Sequence, residues 1–125
     1  MRLIIMRLYP RGVAKERAHA WLPALAPTLP LVHWYHEHLD AIVDQWKAKD
    51  PERFEIEIAK FWKTYSGRYL REMKGQSQRQ LIEFFASLHR NFGVTLTLLC
   101  ACHAHRICHR SLLSDLIAEA QYRSR

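Results

Sequence analysis

Two short apolar runs stand near opposite ends of the chain: Leu3-Ile4-Ile5-Met6 with Leu8, and Val94-Thr95-Leu96-Thr97-Leu98-Leu99. Most of the sequence between them has helical periodicity. Apolar runs of this length, bounded by turn residues, read as buried strands. Intervening helices supply a crossover, so the two strands are expected to run parallel, adjacent or nearly so, and buried on both faces. The fold class is therefore α/β: a small parallel sheet flanked by helices, helix-rich, forming one domain over residues 1–125. Two strands alone make a poor sheet. Either a third strand lacks a visible signature or another subunit completes an edge. The second case, with the chain's many aromatic residues, leads to an expectation of self-association, most simply a homodimer.

The helices are read from start signals and stripes. Tyr9-Pro10-Arg11-Gly12 ends the first strand in a turn, and Val13 to Ala26 is expected to form a short helix broken by Pro23. Pro27 and Pro30 bracket a linker. From Leu31 the positions Trp34, Tyr35, Leu39, Ile42, Val43 and Trp46 form one apolar stripe. Asp50-Pro51-Glu52 combines a capping carboxylate, a proline at the first helical position and an acid near the positive dipole end. Phe54, Ile58, Phe61, Trp62, Tyr65 and Tyr69 then share a face, with a stop near Gly75. Ser77 and Gln80 resemble a capping box, followed by a stripe of Leu81, Phe84, Phe85 and Leu88 that ends at Asn91 to Gly93. The last helix turns Cys108, Leu112, Leu113, Leu116, Ile117 and Ala120 inward.

No apolar run approaches a membrane span, and Leu3 to Met6 is too brief for a signal peptide, so a cytoplasmic protein without a membrane partner is expected. The net charge of +7 permits an anionic partner. Its distribution is more informative, because Arg2, Arg7, Arg11, Lys15 and Arg17 face a single acid, Glu16, within the first segment.

All three cysteines fall within Cys100-Ala-Cys102-His103-Ala-His105-Arg106-Ile-Cys108-His109-Arg110, at the carboxyl end of the second strand and the start of the last helix. Ligands of open α/β sheets gather at such a junction. Three cysteines cannot all pair, and successive spacings of two and six residues strain a bridge, so they read as reduced thiols in a reducing compartment. Six soft ligands in one stretch lack the second, distant knuckle of a structural zinc site. His33, His36 and His38 surround Trp34 and Tyr35 on a helix and read as solvated or half-buried. Cys100 and Arg106 have the spacing of a thiolate and its oxyanion-binding arginine, but the loop between them holds two histidines and no glycine. Cys108 is expected to be a buried, metal-free core residue, and no cofactor is expected.

Arg106 and Arg110 lie near a helix N-terminus, where a cation is unfavourable unless an anion or carboxylate accompanies it. If the two strands are parallel neighbours, Arg7 and Arg11 emerge beside them, forming a basic crevice with His109 as acid, base or donor. Two functions follow from different classes. One is an enzyme acting on a phosphate-bearing or nucleotide-like ligand, with Arg7, Arg11 and Arg110 stabilising charge. The alternative is a nucleic-acid-binding accessory protein with a broad basic face.

Two blocks resemble a known family. Arg7-Leu8-Tyr9-Pro10-Arg11-Gly12-Val13, followed by Trp21-Leu22 and Leu25-Ala26-Pro27, is similar to the landmarks of the YeaO-like uncharacterised proteins, the domain of unknown function 488. Val94 to Cys100 with Cys108-His109-Arg110-Ser111-Leu112-Leu113 resembles the other half, and Asp50 to Phe54 with Phe61 and Tyr65 the central helix. The resemblance implies a compact parallel-sheet α/β fold without an established activity. By motif it implies a site at Arg7, Pro10, Arg11, Cys100, Cys108, His109 and Arg110, with Cys102, His103 and His105 outside the pattern. The resemblance implies a further segment that such proteins usually carry ahead of the arginine-containing strand, which here starts at Met1.

Overall fold

The computed structural model describes residues 1–12, 14–100 and 107–123. Three strands, β1 (Arg2–Ile4), β2 (Ala20–Trp21) and β3 (Thr97–Leu99), form a sheet in the order β2-β1-β3. Both pairings are parallel: Leu3 lies opposite Ala20 on one side and Leu98 on the other. Among the described residues four helices accompany the sheet: α1 (Leu29–Ile42), α2 (Pro51–Glu72), α3 (Gln76–Phe92) and α4 (His109–Arg123). This is the helix-rich α/β arrangement with a small parallel sheet, and the first and last strands are neighbours. No helix among the described residues is long and apolar enough to cross a membrane.

The expected helix from Val13 to Ala26 is not formed. Short 3₁₀ turns at Lys15–Arg17 and Pro23–Leu25 flank β2 instead. A strand of two residues has no alternation to read, so only its pairing reveals it. The His19 amide donates to the Arg2 carbonyl at 2.8 Å, the Leu22 amide donates to that of Ile4 at 2.8 Å, and the Trp21 indole donates to that of Met6 at 2.8 Å. The sheet's third strand therefore lies within the chain, which removes the incomplete sheet as a reason for self-association. Gly12 adopts φ +78°, the sharp turn expected after Pro10.

The helix starts follow their signals unevenly. Asp50 accepts the Arg53 amide at 3.1 Å with Pro51 at the first position of α2, as its sequence predicts. Pro30 belongs to the first turn of α1 rather than to a linker, and a wide turn at Val43–Lys47 extends that helix. The Ser77 and Gln80 capping box is absent. A tight turn hydrogen-bonds the Gly75 amide to the Glu72 carbonyl, so α3 starts at Gln76 with Gly75 before it and Ser77 already inside. The buried face of α3 is Ile82, Phe85 and Ala86, and Phe84 is exposed. In α4 it is Leu113, Ile117 and Ala120, with Leu112 and Leu116 only half-buried.

The core is aromatic along α2. Phe61, Tyr65 and Tyr69 stack at successive turns and meet Tyr35 of α1 at ring separations of 5.2 Å for Phe61 and 5.0 Å for Tyr65. Such pairs add roughly 0.5–1.5 kcal/mol each beyond area burial, which fixes α1 against α2 and places the tyrosines beside the carboxyl edge of the sheet. At the other end of α3, Gly93 adopts φ +65° and donates to the His89 carbonyl, closing the helix where Asn91 to Gly93 was expected to end it. Replacing Gly93 with Ala is expected to cost about 1 kcal/mol, because an L side chain resists this left-handed conformation although nothing occupies the added carbon's place. A chemical denaturation midpoint unchanged from wild type would show that the turn does not need glycine.

Candidate functional site

The strand ends of β1 and β3 place Arg7 and Cys100 at the same edge of the sheet, and the start of α4 brings Cys108 and His109 there. Each group has its own support. The Tyr35 hydroxyl donates to the Ile107 carbonyl at 2.8 Å, and the amide and hydroxyl of Ser111 both donate to that of Cys108. The Tyr69 hydroxyl donates to the Leu25 carbonyl at 2.8 Å, and burial pushes its pKa well above the usual tyrosine range. The Leu25-Ala26-Pro27 landmark thus acquires a physical role. Arg7 continues along the same backbone, donating from Nη2 to the Ala26 carbonyl at 2.9 Å and from Nε to that of Pro27 at 3.0 Å. Three successive carbonyls, at the end of the Pro23–Leu25 turn and just after it, are satisfied by two side chains.

His109 is buried, and its Nε2 lies 2.6 Å from the Ile5 carbonyl oxygen. A carbonyl can only accept, so Nε2 carries the proton and neutral His109 keeps its basic lone pair on Nδ1. Burial lowers its pKa below the ordinary 6.5, with the nearby Arg110 charge acting in the same direction against opposing effects of the Ile5 hydrogen bond and Cys100. The ring packs 5.6 Å from that of Tyr69. The Cys100 and Cys108 sulfurs lie 2.8 Å apart without a disulfide bond between them. A nitrogen of His109 completes a cluster in which the three potential ligand atoms lie within 4.8 Å of one another.

A cavity of about 260 Å³ opens onto this edge. Arg7, Cys100 and His109 line it, together with Met6 and Leu8 from the chain after β1, Leu29, Val32, Tyr35 and His36 on α1, and Tyr65 on α2. Apolar groups dominate the walls. Arg110 is half-buried and lines a different groove, formed with Thr95 to Leu98 and the outer part of α4. Pro10 is half-buried and Arg11 exposed on the turn after β1. The arginines expected to share one crevice are therefore divided: Arg7 is in the cavity, Arg110 is in the second groove, and Arg106 lies outside the described residues. Cys102, His103 and His105 also lie outside them.

Cys108 is buried, as expected, but not on the helical stripe of Leu112 and Leu116. It precedes α4 and reaches the interior through contact with Cys100. Sequence reading missed the cavity role of Tyr35 and Tyr65, which look like ordinary core positions, and of His36. The usable signal was that His36 follows Leu29 by seven residues and Val32 by four, the spacing of one helix face.

The depressed His109 pKa has a sign that can be tested. The unfolded imidazole takes a proton as pH falls through about 6.5, whereas the folded one resists until lower pH, so protonation favours unfolding in that interval. Stability is expected to fall from about pH 7 toward pH 5, and His109→Gln, which keeps a donor for Ile5, should flatten that slope. Equal slopes for the two proteins in denaturation series would remove His109 as the cause.

No curated protein and no solved structure matches the chain. A family model described as the active DUF488-N3 subclade does match it, over residues 1–121. The match includes both strand-end segments that build the cavity and the whole set of helices except its last residues. The chain belongs to the domain of unknown function 488 family, in the subclade described as active.

Proposed function

We propose that the cavity binds a small phosphate-bearing, nucleotide-like ligand and that the protein acts on it as an enzyme. Arg7 carries this reading. It is half-buried and cavity-lining, and among the described residues no carboxylate lies within ion-pairing distance of it. Two of its five N–H groups are committed to the Ala26 and Pro27 carbonyls, which hold the guanidinium in place and leave three for an oxyanion. The apolar walls, with Tyr35 and Tyr65 among them, suit a planar ring. A volume of about 260 Å³ accommodates one ring system with a short anionic arm.

In this reading Arg7 binds and orients the anionic group. Buried His109, whose pKa is lowered by burial, lines the same cavity as the candidate proton-transfer group. Arg110 contributes its charge near His109 rather than a contact in the cavity. The family description as active supports catalysis over passive binding. The nucleic-acid alternative draws on the net charge of +7 but has less support, since the arginines are distributed over separate surfaces.

Calorimetric titration with adenosine, cytidine, guanosine and uridine monophosphates and with the parent nucleosides tests the reading. At least one monophosphate is expected to bind roughly tenfold or more tightly than its nucleoside, the contribution of one charge-assisted pair. Arg7→Gln should erase that difference, while Arg110→Ala should preserve it. Equal affinity of nucleoside and nucleotide, or no binding by wild type, would overturn the proposal. Tight, steeply salt-dependent binding of single-stranded RNA in the absence of mononucleotide binding would favour the accessory protein.

A further inference from the structure

We propose that Cys100 and Cys108 form a redox-active dithiol that reduces small disulfides admitted to the cavity. The inference is independent of the nucleotide-like ligand. It rests on the contact between the sulfurs and on their unequal access. At 2.8 Å the two sulfurs stand well inside the separation of about 3.8 Å that a tetrahedral zinc ion imposes on two thiolates 2.3 Å from it. They must close by only about 0.75 Å to reach a disulfide bond. The imidazole of His109 is also engaged at Nε2 with Ile5, which leaves only Nδ1 as a metal donor.

Access divides the roles. Cys100 is half-buried and lines the cavity, whereas Cys108 is fully buried behind it. Cys100 is therefore the attacking cysteine and Cys108 the resolving one. The Cys100 sulfur attacks one sulfur of the incoming disulfide, forming a mixed disulfide and releasing one thiol, which carries the Cys100 proton. The Cys108 sulfur then attacks the Cys100 sulfur. The mixed disulfide breaks, and the second thiol leaves with the Cys108 proton. The protein pair is oxidised by two electrons and the small disulfide is reduced by two.

The full chain carrying Cys102→Ser, exposed to hydroxyethyl disulfide and then alkylated and mapped by mass spectrometry, decides the matter. The expected product is a Cys100–Cys108 crosslink with no retained mercaptoethanol and no alkylation at either position. Adding Cys108→Ser should trap a stable mercaptoethanol adduct on Cys100. Cys100→Ser should leave Cys108 unmodified. Three results would overturn the proposal. One is a mercaptoethanol adduct that persists in the protein with both cysteines. Another is failure of either cysteine to react while the native circular dichroism spectrum is kept. The third is stoichiometric zinc in the purified protein that blocks the reaction until it is chelated. The first protein retains both cysteines, so the result does not depend on either serine variant folding.

Discussion

The carbonyls of Leu25, Ala26 and Pro27 form the hinge on which the site is built. They belong to a buried segment that runs from the last residue of a short turn toward α1, where no ladder or helix supplies a backbone donor to them. Left unpaired, each would cost roughly 1–3 kcal/mol. Tyr69 from α2 and Arg7 from the end of β1 supply all three donors. One backbone segment thereby ties the sheet to the longest helix, and the same guanidinium that makes the tie is left facing the cavity. A substitution at Arg7 consequently touches both the fold and the ligand site. For that reason a binding measurement must be accompanied by a stability measurement.

The chemistry at the sheet edge is governed by burial. His109 is held neutral because a charged imidazole in this buried position would lack the solvation that water gives it and that the surrounding tyrosine and backbone do not replace. Its tautomer is set by one carbonyl, that of Ile5, immediately beyond β1. The segment after β1 thus contributes in succession Ile5, which fixes the imidazole, Met6, which lines the cavity, and Arg7, which supplies its positive charge. A cysteine pair lies beside these groups, with one sulfur accessible from the cavity and the other behind it. An apolar pocket with a few fixed polar groups matches the general design of small-ligand sites more closely than an open basic surface does.

Much of this architecture was legible in the chain. The parallel relation of the first and last strands followed from their apolar runs and the helices between them, and the α2 start followed from Asp50-Pro51-Glu52. The aromatic face of α2 was evident at helical spacing. Strand β2 was not legible, because two residues carry no period and its extended form is imposed by β1. The face of α3 was misread in part for a related reason, whereas on α4 Leu113, Ile117 and Ala120 are buried as expected and Leu112 and Leu116 pack against the core. Several adjacent positions in α3 are apolar, so the periodicity allows neighbouring faces, and only the partner surface chooses between them.

The sequence by itself determined which residues have the chemistry for a site: an arginine after one apolar strand, a cysteine after another, and Cys-His-Arg at the start of a helix. Local spacing and turn chemistry carry that information, as they act between residues close in the chain. Tertiary structure alone decided their grouping. It put Arg7, Cys100 and His109 on one cavity and Arg110 on another groove, and it brought Cys108 against Cys100. These outcomes depend on the parallel register of β1 with β3 and on how α1 and α2 pack across the sheet edge. Both are set by contacts between segments far apart in the chain, which no local pattern encodes.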